Sequence, residues 1–267
     1  MSIFKVRHYS PALHRQVNFS VCLPTDDVEV PGLPRRAPTD AYRTVYLLHG
    51  HGGNHEDWLY GTSIDMFALK YNVAIVMPSI ENSFYLDDPI REAYYARYLS
   101  EELVAFTRKV FPLSARREDT AIGGLSMGGY GALRNGLLYN NTYGAVVALS
   151  SAFITDEISG MQPGEDNGIA RYDYYRHVFG ELSTLPGSDR DPKALASKLK
   201  ETGETIPAIY MACGTEDFLL EQNRDVDWHL TACGIPHEYH ESAGVHDWHF
   251  WDEYVEKALD WYTSATN

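Results

Sequence analysis

Short, nearly continuous apolar runs alternate along this chain with longer stretches in which apolar residues recur every three or four positions. Thr44 to Leu48, Val73 to Met77, Thr120 to Leu125, Ala145 to Leu149 and Ala208 to Cys213 are runs of the first kind. Such runs suit strands that are covered on both faces in a buried parallel sheet. His237 to His240 is a weaker strand candidate, and Val17 to Leu23 reads as an early one. Leu99, Leu103, Phe106 and Val110 fall at helical spacing within Glu92 to Phe111, as do Trp251, Val255, Leu259 and Tyr262 near the C-terminus. Each set would bury one face of a helix. Strands alternating with helices predict an α/β fold, a mostly parallel central sheet with helices on both faces.

Two stretches break the alternation. Pro24 to Asp40, rich in Pro, Asp, Arg and Gly, reads as an exposed loop. From Phe153 to about Asp191, with Gly160, Pro163, Gly164 and Gly168, the chain is expected to make a loop or cap excursion over the C-terminal edge of the sheet. There is no internal repeat, and the 267 residues are expected to form a single domain, residues 1–267.

Composition narrows the partners. The hydrophobic share of 44% is enough to bury a large sheet, and the formal charge of −15 argues against nucleic acid or an anionic membrane as partner. A small-molecule substrate fits better, and homo-oligomerisation stays open. No stretch approaches the ~18 apolar residues of a membrane span, and Met1 to His8 has no apolar signal core, so the expected compartment is the cytoplasm. Cys22, Cys213 and Cys233 are far apart and odd in number, which suits reduced thiols.

The chemistry is concentrated in four segments. Gly124-Leu125-Ser126-Met127-Gly128 places Gly-x-Ser-x-Gly between a predicted strand, Thr120 to Gly124, and a predicted helix, Met127 to Tyr139. A serine raised on so tight a turn needs small residues two positions away on either side, because larger ones would collide. Ser126 is therefore the candidate nucleophile. The alternatives are a glycine-rich packing turn, or a dinucleotide site, for which an acidic residue about 20 positions on is missing.

After the strand Thr44 to Leu48 comes His49-Gly50-His51-Gly52-Gly53-Asn54, a turn whose N–H groups can converge on a developing oxyanion. The N–H groups of His51 and Met127 are the candidate donors, with Gly52 the alternative to His51. His49, His51 and His55 also have the spacing of a zinc cluster, a rival reading that leaves the serine motif unused.

Asp217 stands just past the apolar run ending at Cys213, at a strand's C-terminal end, where a carboxylate can orient an imidazole. Glu216 is the alternative carboxylate, and helix capping the alternative role for Asp217. His246 lies on a loop before the C-terminal helix, whereas His249 falls in that helix's first turns. The order Ser126, Asp217, His246 is that of α/β-hydrolases. Trp58, Tyr60, Phe84 and Tyr85 are candidates for stacking on a substrate ring, and Trp248 for supporting His246 or touching substrate.

These residues resemble the esterase D group of α/β-hydrolases, and within it the bacterial tributyrin esterase family that includes feruloyl (cinnamoyl) esterases. The likeness is carried by Leu47 to Asn54 with Trp58, by Gly124 to Gly131, by Cys213 to Leu219 and by Ser242 to Trp248, and it runs along most of the chain. It implies an α/β-hydrolase fold and hydrolysis of short-chain acyl esters, in some members aromatic acyl esters, by a serine esterase with no metal or organic cofactor. The wider group includes thioesterases such as S-formylglutathione hydrolase, so ester and thioester are both open, as are water and an alcohol as acyl acceptor.

Overall fold

The computed structural model of the protein describes residues 1–25 and 41–264. The loop expected over Pro24 to Asp40 lies, beyond its first two residues, outside them. Eight strands form the main sheet among the described residues: β1 (Ser2–Ser10), β2 (Arg15–Leu23), β3 (Arg43–Leu48), β4 (Val73–Pro78), β5 (Thr120–Leu125), β6 (Ala145–Leu149), β7 (Ala208–Gly214) and β8 (Glu238–Ser242). Their spatial order is β1-β2-β4-β3-β5-β6-β7-β8. β1 and β2 form an antiparallel hairpin, β2 is antiparallel to β4, and every other pair is parallel.

The continuous apolar character of the central strands has a direct cause: they bury both faces. On β3, Val45 and Leu47 enter one core while Tyr46 and Leu48 enter the other. On β6, Ala145, Val147 and Leu149 alternate in the same way with Val146 and Ala148. The helices that cover the sheet include α1 (Ile64–Tyr71), α2 (Leu103–Val110), α3 (Met127–Leu138), α4 (Tyr172–Phe179), α5 (Pro192–Thr202), α6 (Leu220–Ala232) and α7 (Trp248–Ser264). α1 and α7 close one face through Ile64, Ala68, Val255 and Leu259. The other face is closed by α3, α5 and α6 through Leu133, Leu137, Leu199 and Leu230. No helix among the described residues is long and apolar enough to cross a membrane.

Where the elements depart from the pattern-based reading, neighbours decide. β1 alternates only weakly, and its identity comes from nine-residue pairing with β2. β8 runs two residues past the expected His240 because its register is set by parallel pairing, from Glu238 opposite Tyr210 to Ser242 opposite Gly214. The helix expected from Glu92 starts at Tyr95 and passes through a π-helical turn, Tyr98–Glu102, before α2. The excursion between β6 and β7 is partly helical, and Tyr175, Phe179 and Leu185 anchor it to the core.

The topology sets the place for a site. β3 and β5 are adjacent, yet the helix after β3 covers one face and the helix after β5 covers the other. The connections diverge and leave a crevice at the carboxyl ends of these two strands, where open α/β sheets bind ligands.

Candidate active site

At that crevice the chain turns from β5 into α3 at Ser126, whose φ of 54° and ψ of −119° are unusual for a non-glycine residue. The turn is held by the Ser126 N–H, which donates to Leu149 O at 2.9 Å, and by the Ala152 N–H, which donates to Ser126 O at 3.0 Å. Its glycines are there for close approach. A Cβ on Gly124 would stand 2.6 Å from the Gly128 carbonyl, and one on Gly128 would stand 2.6 Å from the carbonyl oxygens of Leu48 and His49. The strand, the helix and the end of β3 therefore meet backbone to backbone.

Asp217 sits in the turn after β7, with its side chain fully shielded from solvent. Its Oδ1 accepts the Leu219 N–H at 2.9 Å, and its Oδ2 lies 2.9 Å from His246 Nδ1. Burial opposes ionisation of this carboxyl, but hydrogen bonds from His246 and the Leu219 N–H outweigh it and hold the group below its ordinary value. Glu216 does a different job. It is exposed and accepts the Gly244 N–H at 2.7 Å, which pins the loop carrying His246 and also lowers the Glu216 carboxyl.

The His246 ring packs against Phe218, centroids 4.7 Å apart, and perpendicular to Trp251 at 4.9 Å. β5 and β7 flank β6, so their axes stand roughly 10 Å apart, about the span of a carboxylate–imidazole–hydroxyl relay. Among the described residues Ser126 makes no side-chain hydrogen bond to the imidazole.

The glycine turn after β3 lies against the serine: a Cβ on Gly50 would be 3.6 Å from Ser126 Cβ. His49 staples this turn. The Ile80 N–H donates to its Nε2 at 3.1 Å, so the proton is on Nδ1, which donates to Gly50 O at 2.7 Å. Burial holds His49 below its ordinary value, in keeping with a neutral ring. The Gly52 N–H is committed to Asn82 Oδ1 at 2.7 Å. The N–H groups of His51 and Met127 donate to no acceptor among the described residues, and the Met127 N–H opens the first turn of α3, where a helix favours negative charge.

Residues 10–262 match the family of esterases described as "Putative esterase". The chain belongs to this esterase family. It is 45% identical over the whole length of both chains to an acetyl esterase of Caldicellulosiruptor saccharolyticus. The fluorophosphonate-binding serine hydrolase F of Staphylococcus aureus superposes with a TM-score of 0.84 at 27% identity, over 98% of each chain. An S-formylglutathione hydrolase of the same organism superposes with a TM-score of 0.82 at 26% identity, again over 98% of each chain. The protein is thus a carboxylic ester hydrolase of the α/β-hydrolase fold.

In this esterase the aromatic candidates have other occupations. Trp58 is 1% exposed, donates from Nε1 to Leu48 O at 3.0 Å and packs edge-on against Trp248. Tyr85 is fully buried, and its hydroxyl donates to His49 O at 2.9 Å. Phe84 is buried among Tyr130 and Phe179. These three are packing residues, Trp58 from the short helix Asp57–Gly61 and Phe84 and Tyr85 from the loop after β4. Tyr60 is 79% exposed on a short helix, and Trp248 stacks edge-on with Trp251, which in turn touches the His246 ring.

The three histidines of the zinc-like pattern do not converge. Both His49 nitrogens are committed to the backbone, His55 Nδ1 pairs with Ser20 Oγ at 2.7 Å, and the His51 ring faces Tyr174. A cavity of about 480 Å³ borders the glycine turn, lined by Gly52, Gly53, Asn82, Arg91, Tyr174 and His177 among others. Sequence reasoning missed Phe218, Trp251 and Asn82 as neighbours of the site. Phe218 adjoins Asp217 and could have been found by position, whereas nothing local links Asn82 to Gly52.

Proposed function

We propose that this esterase cleaves esters of short acyl chains through an acyl-enzyme on Ser126. The observation that carries the reading is the bond between His246 Nδ1 and the buried Asp217, two strands from the strained Ser126 turn. With the Nδ1 proton held by the carboxylate, Nε2 presents its lone pair and serves as the general base.

Ser126 Oγ attacks the ester carbonyl carbon while His246 takes its proton. The N–H groups of His51 and Met127 donate to the oxyanion, where a site that excludes water makes them count most. As the tetrahedral species collapses, the carbon–oxygen bond to the alcohol breaks and His246 hands its proton to the departing oxygen. Water, deprotonated by the same ring, then attacks the acyl carbon, the carboxylic acid leaves, and the proton returns to Ser126.

Two findings favour a short acyl group. The relative with 45% identity is an acetyl esterase. Trp58, Phe84 and Tyr85 are locked in the core and offer no face on which an aromatic acyl group could stack. The likeness to an S-formylglutathione hydrolase supports a second reading, a thioester substrate cleaved by the same steps with a thiol as leaving group.

A fluorophosphonate is expected to add one adduct, mapped by mass to the peptide containing Ser126, and to stop turnover of p-nitrophenyl acetate. Ser126→Ala should take up none and lose more than about 10³-fold in kcat with an unchanged melting curve. Labelling at another residue, or turnover in Ser126→Ala, would overturn the assignment. Comparing acetyl, butyryl and feruloyl esters with S-formylglutathione decides the substrate class.

A further inference from the structure

We infer that Asn223 is a positioning residue that sets the distance between the nucleophile turn and the acid–base arm; the inference rests on the triad roles proposed above. Ser126 and Asp217 come from strands that do not touch, with β6 between them. At the end of β6 and just past it the chain takes hold of Ser126 from both sides, since Leu149 O accepts its N–H at 2.9 Å and the Ala152 N–H donates to its carbonyl at 3.0 Å. Between these contacts, Ser150 is held at a φ of 43°, rare for a residue with a side chain, and its N–H donates to Ala212 O of β7 at 2.8 Å. Residues 149–152 thus form a bent knee whose position fixes that of the nucleophile.

Asn223, on α6, is fully buried and spends its amide on joining this knee to the acid loop. Its Oδ1 accepts the Ser151 N–H at 3.2 Å, and its Nδ2 donates to Ser151 O at 2.9 Å and to Leu219 O at 2.8 Å. The Leu219 N–H is the group that donates to Asp217 Oδ1 at 2.9 Å. One side chain therefore grips both edges of the peptide that carries the nucleophile's knee, and also the residue that holds the acid. A fully satisfied buried amide of this kind permits one spacing and penalises others.

An amide that merely docked α6 could be replaced at a cost in stability alone. A positioning amide, when lost, leaves a folded enzyme whose relay is misaligned, and a misplacement of about 1 Å costs roughly 100-fold in rate.

The test uses Asn223→Ala and Asn223→Ser. The serine hydroxyl can bond back to Leu219 O four residues earlier but is too short to reach Ser151, so this variant keeps the helix end satisfied and carries the comparison if Asn223→Ala does not fold. For each, kcat on p-nitrophenyl acetate is divided by the active sites titrated to completion with a fluorophosphonate. The expected result is a loss of about 30- to 300-fold in kcat per titrated site with KM within about threefold, and a shifted acid limb in the pH profile of kcat/KM.

A kcat per site within about twofold of the parent, whatever the fall in melting temperature, would overturn the positioning role. Ser126→Ala, measured alongside, separates the two readings. Turnover surviving in it overturns both, whereas an inactive Ser126→Ala beside fully active Asn223 variants overturns the positioning role alone.

Discussion

Asp217→Asn is the substitution that asks most of the site. The carboxylate is shielded from solvent and accepts two hydrogen bonds, from the Leu219 N–H and from His246 Nδ1, each at 2.9 Å. An asparagine of the same shape can keep its oxygen on Leu219, but it then turns an N–H toward the imidazole. His246 must meet a donor with a lone pair on Nδ1, which moves its proton to Nε2, the nitrogen that accepts the Ser126 proton in the proposed mechanism. The ring stays in place in the wrong tautomer.

A carboxylate-to-amide exchange of this kind costs roughly 10⁴ in kcat, about 5.5 kcal/mol at 1.36 kcal/mol per decade. The loss should appear in kcat on p-nitrophenyl acetate with little change in KM. Glu216→Gln is the control: its side chain keeps an acceptor for the Gly244 N–H, so its kcat should stay within about threefold of the parent. Near-normal turnover in Asp217→Asn, or a collapse in Glu216→Gln with Asp217→Asn unaffected, would refute the assignment of the orienting acid.

Stability should fall on the acid side before the carboxylates titrate. His49 is held below its ordinary value of 6.5 by burial. The unfolded chain therefore takes a proton that the folded one refuses, and stability that is complete above 6.5 declines as pH drops below it. Asp217, also held low, adds a further loss as pH falls below its ordinary 3.8. Denaturant midpoints at pH 7.5, 6.0 and 5.0 should fall in that order, less steeply in His49→Asn, and equal slopes would exclude His49 as a source.

Trp58→Phe removes the bond to Leu48 O and should cost about 1 kcal/mol, read as a shift in denaturant midpoint, while KM for a feruloyl ester stays unchanged. A rise in that KM would mean that Trp58 does meet substrate.

Much of this arrangement is written in local pattern. Runs such as Val73 to Met77 are apolar at every position because both faces of β4 are covered, and that can be read without knowing what covers them. Gly124, Ser126 and Gly128 are likewise local, since the collision they avoid is between residues of one turn and the neighbouring strand. The order Ser126, Asp217, His246, on which the proposed triad rests, can be read along the chain as well.

What local pattern could not decide is which groups finally meet. Asp217 rather than Glu216 faces the imidazole because the turn after β7 points one carboxylate inward and the other at Gly244. Gly52 is spoken for by Asn82, and Trp58, Phe84 and Tyr85 are enclosed instead of lining a pocket. Asn223 gives no signal in the sequence at all. Periodicity reports only whether a residue faces a core, whereas the partner of a hydrogen bond 70 residues away depends on strand order and on how loops fold back. Those are set by the packing of the whole sheet, and only the tertiary structure contains them.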